Sequence, residues 1–299
     1  MIRAHSPLRI IVTGATGQLG FELVRALSPM GHIVPLARED FDFDHPDRLR
    51  DLVRGINPDV IVNAAAYTAV DVAEADGPAC FRANAAGPAI LAEEARRLGA
   101  LLVHYSTAFV FDGTQSRPYT EDDEPNPASV YARSKLEGER AVGNEGAAHV
   151  ILRTNWIFGT RRPNFFQTVK DLAKAGGDLH IVSDQIGAPT WSRMIATATG
   201  TIIGMLGSDR KSISESALAS GGLFHMTATG AASRHEFATA IVESMALGAA
   251  SPRVYPMTTE AYRAAAPRPL NSILDCSKLA STFGVTLPLW REQLRLATQ

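Results

Sequence analysis

The chain has 299 residues, 45% of them hydrophobic and 20% charged, which supports a folded core and argues against global disorder. Its formal charge of −2 gives no broad attraction to nucleic acid or acidic membranes, so neither is expected as a partner. Cys80 and Cys276 are too few for a disulfide framework and lack metal-site spacing, which fits a reducing compartment. With neither a signal-peptide core nor a run of about 20 apolar residues, we expect a cytoplasmic protein.

Apolar runs alternate with helical periodicities through the first half of the chain, beginning with a run at residues 8–12. Such alternation predicts parallel strands joined by right-handed helical crossovers. The further predicted strands are 33–36, 59–65, 100–106 and 150–153, and the predicted helices include 47–55, 77–98 and 130–142. A polar, proline-bearing loop at 113–129 precedes the last of these helices.

The second half of the chain has less regular signals. We predict an α/β fold with a doubly wound parallel sheet over residues 1–157 and a smaller C-terminal α/β lobe over 158–299. The chain is expected to return to the sheet near 222–228. The stretch 212–222, rich in Gly, Ser and Ala, offers little apolar surface and predicts a flexible loop.

A glycine motif, Gly14, Gly17 and Gly20, follows the first predicted strand directly and begins a helix. Glycines at such a turn let the backbone approach a pyrophosphate, while the helix N-terminus offers N–H groups and a positive dipole end. In this βαβ setting the motif predicts a Rossmann-type dinucleotide site that includes Gln18 and Leu19. The G-x-x-G-x-x-G spacing is similar to that of the short-chain reductases.

The end of the second predicted strand indicates which nicotinamide cofactor binds. An acidic residue there would bind the ribose 2′-OH of NAD, whereas this chain has Arg38, which can pair with the 2′-phosphate of NADP. We therefore favour NADPH over NADH. Because Glu39 and Asp40 are adjacent, a solvated surface role for Arg38 stays open.

Tyr131 and Lys135 form Y-x-x-x-K on the predicted helix after the polar loop, and residues four apart share one helix face. A cation beside the phenol is expected to lower the tyrosine pKa and make it a usable proton donor in carbonyl reduction. Ser106 and Thr107 close the preceding strand, where a hydroxyl could bind the substrate oxygen or simply cap the strand.

With these residues in place, the chain resembles the dTDP-4-dehydrorhamnose reductase family over nearly its whole length. The resemblance is carried by TGATGQLG, VNAAAYTAVD, HYSTAFVFDG, SVYARSKLEGE, ILRTNWIFG, VSDQIGAPT and RPLNSILD. It implies NADPH- or NADH-dependent reduction of the 4-keto group of dTDP-4-dehydro-β-L-rhamnose to dTDP-β-L-rhamnose, with Thr107, Tyr131 and Lys135 as the catalytic triad. Some members form homodimers with the help of Mg²⁺, but the sequence places no metal ligand.

The resemblance also assigns binding roles to further residues. The cofactor would lie along Asp42, Phe43, Ala66, Tyr67 and Thr68. The substrate would contact Trp156, Gln185 and Arg268, with Arg268 on its diphosphate because a guanidinium can donate two hydrogen bonds at once. Core packing for Trp156 and structural roles for Gln185 and Arg268 stay open.

Two positions depart from the family pattern: Ala108 stands where members usually have Asp, and Val72 where they have Lys. Because these changes leave the triad intact, they bear on the identity of the sugar more than on the reaction. The alternatives are a reductase of another 4-ketosugar nucleotide, a non-catalytic nucleotide-binding regulatory subunit, and an epimerase or dehydratase that consumes no NAD.

Overall fold

The strands and helices are those of a computed structural model, which describes residues 7–41, 43, 45–248 and 251–299. In that part of the chain the strands are β1 (Leu8–Thr13), β2 (Gly31–Leu36), β3 (Val60–Asn63), β4 (Leu101–Thr107), β5 (His149–Thr154), β6 (Ile157–Phe158), β7 (Leu179–Val182), β8 (Ile186–Gly187), β9 (Thr190–Trp191), β10 (Gly222–His225), β11 (Ala228–Thr229), β12 (Ala232–Ser233), β13 (Val254–Met257) and β14 (Leu287–Leu289). The α-helices are α1 (Gln18–Leu27), α2 (Pro46–Ile56), α3 (Val70–Ala73), α4 (Gly77–Phe81), α5 (Gly87–Leu98), α6 (Val130–Asn144), α7 (Phe165–Ala175), α8 (Ser192–Leu206), α9 (Arg210–Ser220), α10 (Arg234–Ser244), α11 (Thr259–Tyr262), α12 (Ser277–Phe283) and α13 (Trp290–Ala297).

Six parallel strands form one sheet in the order β2-β1-β3-β4-β5-β10. Every residue of β3 and β4 is buried, which explains their continuous apolar runs, because a parallel sheet is covered on both faces. The chain passes from β1 outward to β2 and then returns to the other side of β1. This reversal places a ligand crevice beyond the carboxyl ends of β1 and β3.

Helices cover both faces of the sheet, as predicted for an α/β fold. Helices α1, α8 and α9 pack on one face around Leu23, Ile202 and Ile213. On the other face α2, α5 and α6 contribute Val53, Leu91 and Val142. The C-terminal half therefore supplies two covering helices and the edge strand β10, while the division into two domains at residue 157 stays a prediction.

The flexible loop predicted at 212–222 is wrong, because most of this stretch is helical and belongs to α9. The Asp209 side chain accepts from the Ser212 N–H, the Ser212 hydroxyl closes a reciprocal capping box, and Ile213 and Ala217 are buried against the sheet. Arg210 further anchors the helix, with Nε 2.7 Å from Asp59 Oδ1. A polar composition concealed a short amphipathic face.

The C-terminal lobe has its own apolar core, built around α7, α10 and α13. The Phe237 ring lies 5.3 Å from the Phe158 ring and 5.9 Å from the Trp290 ring, centroid to centroid. The parallel pair β7–β13 lies beside this core. Within the described residues, no helix is long and apolar enough to cross a membrane.

Candidate active site

The glycine motif forms the turn between β1 and α1 and packs against the chain beyond β3. Gly14 has φ +64°, and a Cβ there would lie 2.8 Å from Ala65 Cα. A Cβ on Gly20 would lie 2.1 Å from the Gly14 carbonyl oxygen. Side chains at these positions would push the turn away from the helix, so the sequence motif corresponds to a real close approach.

The start of α1 fits a dinucleotide diphosphate. Its N-cap is Gly17, which has no side chain to occupy the first N–H groups of the helix. Arg162 reaches the same turn and donates from Nε to the Thr16 carbonyl at 2.8 Å, which brings a positive charge to its rim. Leu19, in contrast, is buried in the core below the helix.

Three buried side-chain oxygens of the described residues have no hydrogen-bond partner: Gln18 Oε1, Ser106 Oγ and Thr154 Oγ1. Gln18 belongs to the first turn of α1, and the other two are at the carboxyl ends of β4 and β5. Buried polar atoms are nearly always paired, so these oxygens indicate a place for a polar ligand. These oxygens and the glycine turn fit the polar groups and the diphosphate of a nicotinamide dinucleotide.

The segment after β3, Ala66 to Thr68, is held from below by Asn84. The Tyr67 N–H donates to Asn84 Oδ1 at 2.8 Å, and Asn84 Nδ2 donates to the Tyr67 carbonyl at 3.0 Å. Asn84 lies in a π-helical turn, Arg82–Ala86, between α4 and α5. Such turns often occur at functional sites because they redirect side chains.

The residues assigned to the adenine end lie at the end of β2. Arg38 is exposed in a turn that Asp40 closes by accepting from the Ala37 N–H at 2.7 Å. Phe43 packs edge-on against Phe41, with ring centroids 5.0 Å apart. Asp42 lies outside the described residues. The assignment of these residues to the cofactor stays a prediction.

Tyr131, the predicted proton donor, is positioned by the start of α6. Ser129 caps the helix by accepting from the Ala132 N–H, so Tyr131 lies in the first turn beside the end of β4. The Tyr131 ring meets Phe109 edge-on at 6.3 Å, centroid to centroid. The Thr107 hydroxyl accepts from the Phe109 N–H at 3.2 Å and lies near enough to the phenol to influence its pKa. The structure thus brings Thr107 and Tyr131 together.

The expected fall in the Tyr131 pKa is wrong for the chain itself. Burial raises the pKa of Tyr131 to about 12, and the neighbouring Thr107 hydroxyl opposes that rise. The Lys135 ammonium does not offset the burial, and its Nζ donates instead to the Tyr105 carbonyl at 2.6 Å. The phenol is therefore an intact acid at neutral pH, the form that can protonate an oxygen.

Lys135 is itself almost fully buried, with 2% of its surface exposed. Burial lowers the pKa of Lys135 to about 8, because an ammonium loses hydration in the interior. Its Nζ also faces His104 Nε2 at 3.5 Å. The sequence pattern predicts this lysine on the helix of Tyr131 but does not indicate its burial or the nearby His104.

Trp156 and Arg234 form a stacked pair on the C-terminal side of the crevice. Trp156 has φ +42°, an unusual conformation for a bulky residue, and the Arg234 Cζ lies 3.8 Å from its ring centroid. No carboxylate pairs with the Arg234 guanidinium among the described residues. Burial and then the charge of Arg268 lower the pKa of Arg234 to about 9. No sequence motif predicts this role for Arg234.

The other two residues assigned to the substrate are engaged with protein groups. Gln185 Nε2 donates to Thr259 Oγ1 at 3.1 Å, and the Gln185 carbonyl accepts from the Arg234 N–H. Arg268 Nη2 lies 2.8 Å from Asp71 Oδ2, while Nη1 donates to the Ala266 carbonyl. Both line the same region as Trp156, and their roles toward substrate stay predictions.

The two departures from the family pattern differ in environment. Ala108 is fully buried at the first residue of a short 3₁₀ turn, Ala108–Val110, so no carboxylate lies beside Thr107 at this position. Val72 is 56% exposed on α3 and has room for a longer side chain. Within the described residues, no group of three His, Cys, Asp or Glu side chains could hold a metal ion, so the Mg²⁺ of some relatives stays a prediction.

Comparison with known proteins agrees with the sequence motifs. The model of the RmlD substrate binding domain family matches residues 8–299. The chain is 44% identical over 297 residues to the dTDP-4-dehydrorhamnose reductase of Burkholderia thailandensis, with 98% of each chain covered. The chain belongs to the dTDP-4-dehydrorhamnose reductase family. The resemblance predicted from its motifs is thereby confirmed.

Two further relatives, one compared by sequence and one by structure, agree with this assignment. The dTDP-4-dehydrorhamnose reductase of Escherichia coli K12 is 36% identical over 291 residues, 95% of each chain. The crystal structure of the Bacillus anthracis dTDP-4-dehydrorhamnose reductase in complex with NADP superposes with a TM-score of 0.88 at 32% identity, covering 97% of this chain and 98% of that one. The Rossmann-type sheet of this family member is thus confirmed.

Proposed function

We propose that this chain reduces the 4-keto group of dTDP-4-dehydro-β-L-rhamnose to dTDP-β-L-rhamnose with NADPH, completing a deoxysugar nucleotide. The observation that carries the proposal is the placement of Thr107, Tyr131 and a buried Lys135 together at the carboxyl end of β4. Relatives named for this activity match nearly the full chain, which supports it further. A non-catalytic regulatory subunit would need no such acid.

The cofactor diphosphate is proposed to bind at the glycine turn and at the N-terminus of α1, which no side chain caps. Arg38 would pair with a 2′-phosphate, and a relative solved with NADP supports NADPH over NADH. When bound, the nicotinamide supplies the hydride for the carbonyl carbon. Tyr67 and its neighbours, held by Asn84, form the wall along which it would lie.

Tyr131 is the proposed acid for the carbonyl oxygen. Its raised pKa keeps the proton on the phenol until negative charge develops on the substrate oxygen. The Thr107 hydroxyl lies beside the phenol and can hold the same oxygen in place. Together these two groups would orient and protonate the substrate oxygen.

Arg234 and Arg268 are the proposed anchors for the substrate diphosphate. Two guanidiniums lie close enough for one to lower the pKa of the other, and in the part of the chain that the structure describes only Arg268 has a carboxylate partner, Asp71. The region therefore carries an uncompensated positive charge next to Trp156, and a diphosphate would neutralise it. Trp156 would pack against the sugar with its ring fixed by the Arg234 stack.

Absorbance of NADPH and NADH during incubation with dTDP-4-dehydro-L-rhamnose tests the reaction. We expect the wild type to oxidise NADPH faster than NADH, and Tyr131→Phe to lose about 100- to 10,000-fold in kcat, because the proton donor is gone. Tyr255→Phe, on an exposed tyrosine of the lobe, is the matched control. Tight cofactor binding with no oxidation would rule out this substrate and favour another ketosugar.

The cellular compartment, the oligomeric state and the need for Mg²⁺ are also proposals. We propose that the chain acts in the cytoplasm, consistent with two unpaired cysteines. A homodimer, as in some relatives, would be recognised by sedimentation of the purified protein. Adding Mg²⁺ or a chelator in that experiment tests whether association depends on the metal.

A further inference from the structure

A row of buried polar side chains crosses three neighbouring strands. Thr13, Asn63 and His104 stand side by side in the register of β1, β3 and β4. The Thr13 hydroxyl donates to Asn63 Oδ1 at 2.7 Å, and Asn63 Nδ2 lies 3.0 Å from His104 Nδ1. Each of the three side chains is at most 1% exposed. Isolated buried polar groups are costly, so a row this complete is a specific arrangement.

The row ends on Lys135. Its Nζ lies 3.5 Å from His104 Nε2 and 2.6 Å from the Tyr105 carbonyl oxygen, so the lysine is held by consecutive residues of β4. The other end of the row, Thr13, directly precedes Gly14 and accepts from the Ala65 N–H at 3.3 Å. One line of hydrogen bonds therefore connects the glycine turn with the catalytic lysine.

The direction of these bonds locates the histidine hydrogen. Thr13 donates to Asn63 Oδ1, so the Asn63 amide turns its Nδ2 hydrogens toward His104 Nδ1, which must accept. In a neutral imidazole the hydrogen then resides on Nε2. Burial first, and then the Lys135 charge, hold the pKa of His104 well below its ordinary value, so the ring is neutral.

We propose that His104 is a positioning residue for Lys135: Asn63 and Thr13 fix its hydrogen on Nε2, from which it donates toward Nζ and favours the neutral amine of the lysine. An ammonium has no lone pair to accept that hydrogen, whereas an amine does. Lys135 therefore loses its proton more readily than it would beside a histidine nitrogen that accepts. This inference rests on the proposed function only in that Lys135 serves the reduction.

Other groups facing Lys135 act in the opposite sense. Glu139 on the same helix and Cys80 on α4 both raise the pKa of Lys135, but burial outweighs them and lowers it to about 8. Tyr131, the other titratable group on this side of α6, stays a neutral phenol below about pH 12. His104 is thus the group whose hydrogen position can adjust the lysine without a charge of its own.

Nuclear magnetic resonance of the full chain tests the hydrogen position. With ¹⁵N-labelled histidine, we expect His104 to be neutral and to carry its hydrogen on Nε2. In Asn63→Asp the carboxylate accepts from Nδ1–H, so the hydrogen should move to Nδ1. A wild-type His104 with its hydrogen on Nδ1, or charged at about pH 7, would overturn the proposal.

The lysine is followed in parallel by the ¹³C resonance of its Cε, assigned through Lys135→Met. In Asn63→Asp, Nε2 becomes an acceptor and a negative charge is added, so the Lys135 titration midpoint should rise by about one pH unit or more, a tenfold change in proton affinity. An unchanged midpoint in the folded variant would refute the role of the row. His225→Gln, which changes a buried histidine of β10 outside the row, should leave the midpoint unchanged.

If Asn63→Asp does not fold, Thr13→Val tests the same prediction, because it removes only the hydroxyl that orients the Asn63 amide. We then expect both hydrogen positions of His104 to be populated, and a single unchanged position would count against the proposal. In kinetics, the basic limb of the kcat profile should move with the lysine midpoint. If no ketosugar is reduced by any variant, the proposed function fails, while the resonance experiments still decide the role of His104.

Discussion

The guanidinium of Arg268 lies 2.8 Å from the carboxylate of Asp71, which joins a C-terminal segment to the short helix α3 beyond β3. The same carboxylate accepts from the Ala266 N–H at 2.9 Å. The ion pair thus connects, across the crevice, two parts of the chain that are about 200 residues apart in sequence. The pair holds Arg268 in one orientation near Arg234 and Trp156.

Asp71→Asn tests the role of the Arg268–Asp71 ion pair. The side chain is 49% exposed, so we expect the free energy of unfolding to fall by only about 0–1 kcal/mol. The KM for the ketosugar should rise about tenfold, because Arg268 loses the partner that orients it. Steady-state kinetics beside urea unfolding measures both quantities. Asp47→Asn, in an exposed pair with Arg50, is the control, and an unchanged KM for Asp71→Asn would contradict the expectation.

Gly20→Ala should weaken cofactor binding and also destabilise the fold. The new Cβ would lie 2.1 Å from the Gly14 carbonyl oxygen, so the turn must open. We expect the Kd for NADPH, measured by calorimetry, to rise by about tenfold or more, since a displacement of this size misplaces the diphosphate site. Gly55→Ala on α2 has no neighbour within 4 Å and should stabilise the protein by about 1 kcal/mol without changing the Kd.

Glu139→Ala should be among the most destabilising single changes in α6. Glu139 pairs with Arg153 at 2.6 Å, and the two side chains are 6% and 2% exposed. Removing one partner leaves a buried charge uncompensated, which costs about 3–5 kcal/mol. Glu292→Ala, in an exposed pair with Arg295, should cost less than about 1 kcal/mol. Equal losses in urea unfolding would show that burial does not distinguish the pairs.

Asp112 should make the loop before α6 sensitive to acid. Hydrogen bonds from the Thr114 backbone and hydroxyl, and from Asn126, lower the pKa of Asp112 to about 2. A depressed carboxyl pKa gives stability that is complete above the unfolded value of about 4 and is lost as the pH falls toward about 2. The stability difference between wild type and Asp112→Asn should therefore shrink across that range. A constant difference would exclude Asp112 as the origin.

Much of the fold was predictable because its signals are local. Continuous apolar runs such as β4 identify buried parallel strands, and the four-residue spacing of Tyr131 and Lys135 fixes a shared helix face. The glycine motif likewise predicts the turn between β1 and α1 from residues close together in sequence. In α9, a short buried face and the Asp209 capping box were outweighed by a polar composition, so the helix was missed.

The rest of the site depends on contacts between distant segments. His104 and Asn63 are 41 residues apart, and only the strand register brings them together. Arg234 meets Trp156 through the packing of the lobe, and no spacing rule connects them. The pKa of Tyr131 depends on burial, which the sequence motif does not contain.

The position of β10 has a consequence for how the chain folds as it is synthesised. Strand β5 has an unpaired outer edge until residues 222–225 emerge, and α8 and α9 are needed to cover one face. A nascent chain ending near residue 157 therefore exposes both a strand edge and an apolar surface, features that promote aggregation. The central sheet is therefore complete only after residues up to 225 have left the ribosome, so translation order and assembly order differ.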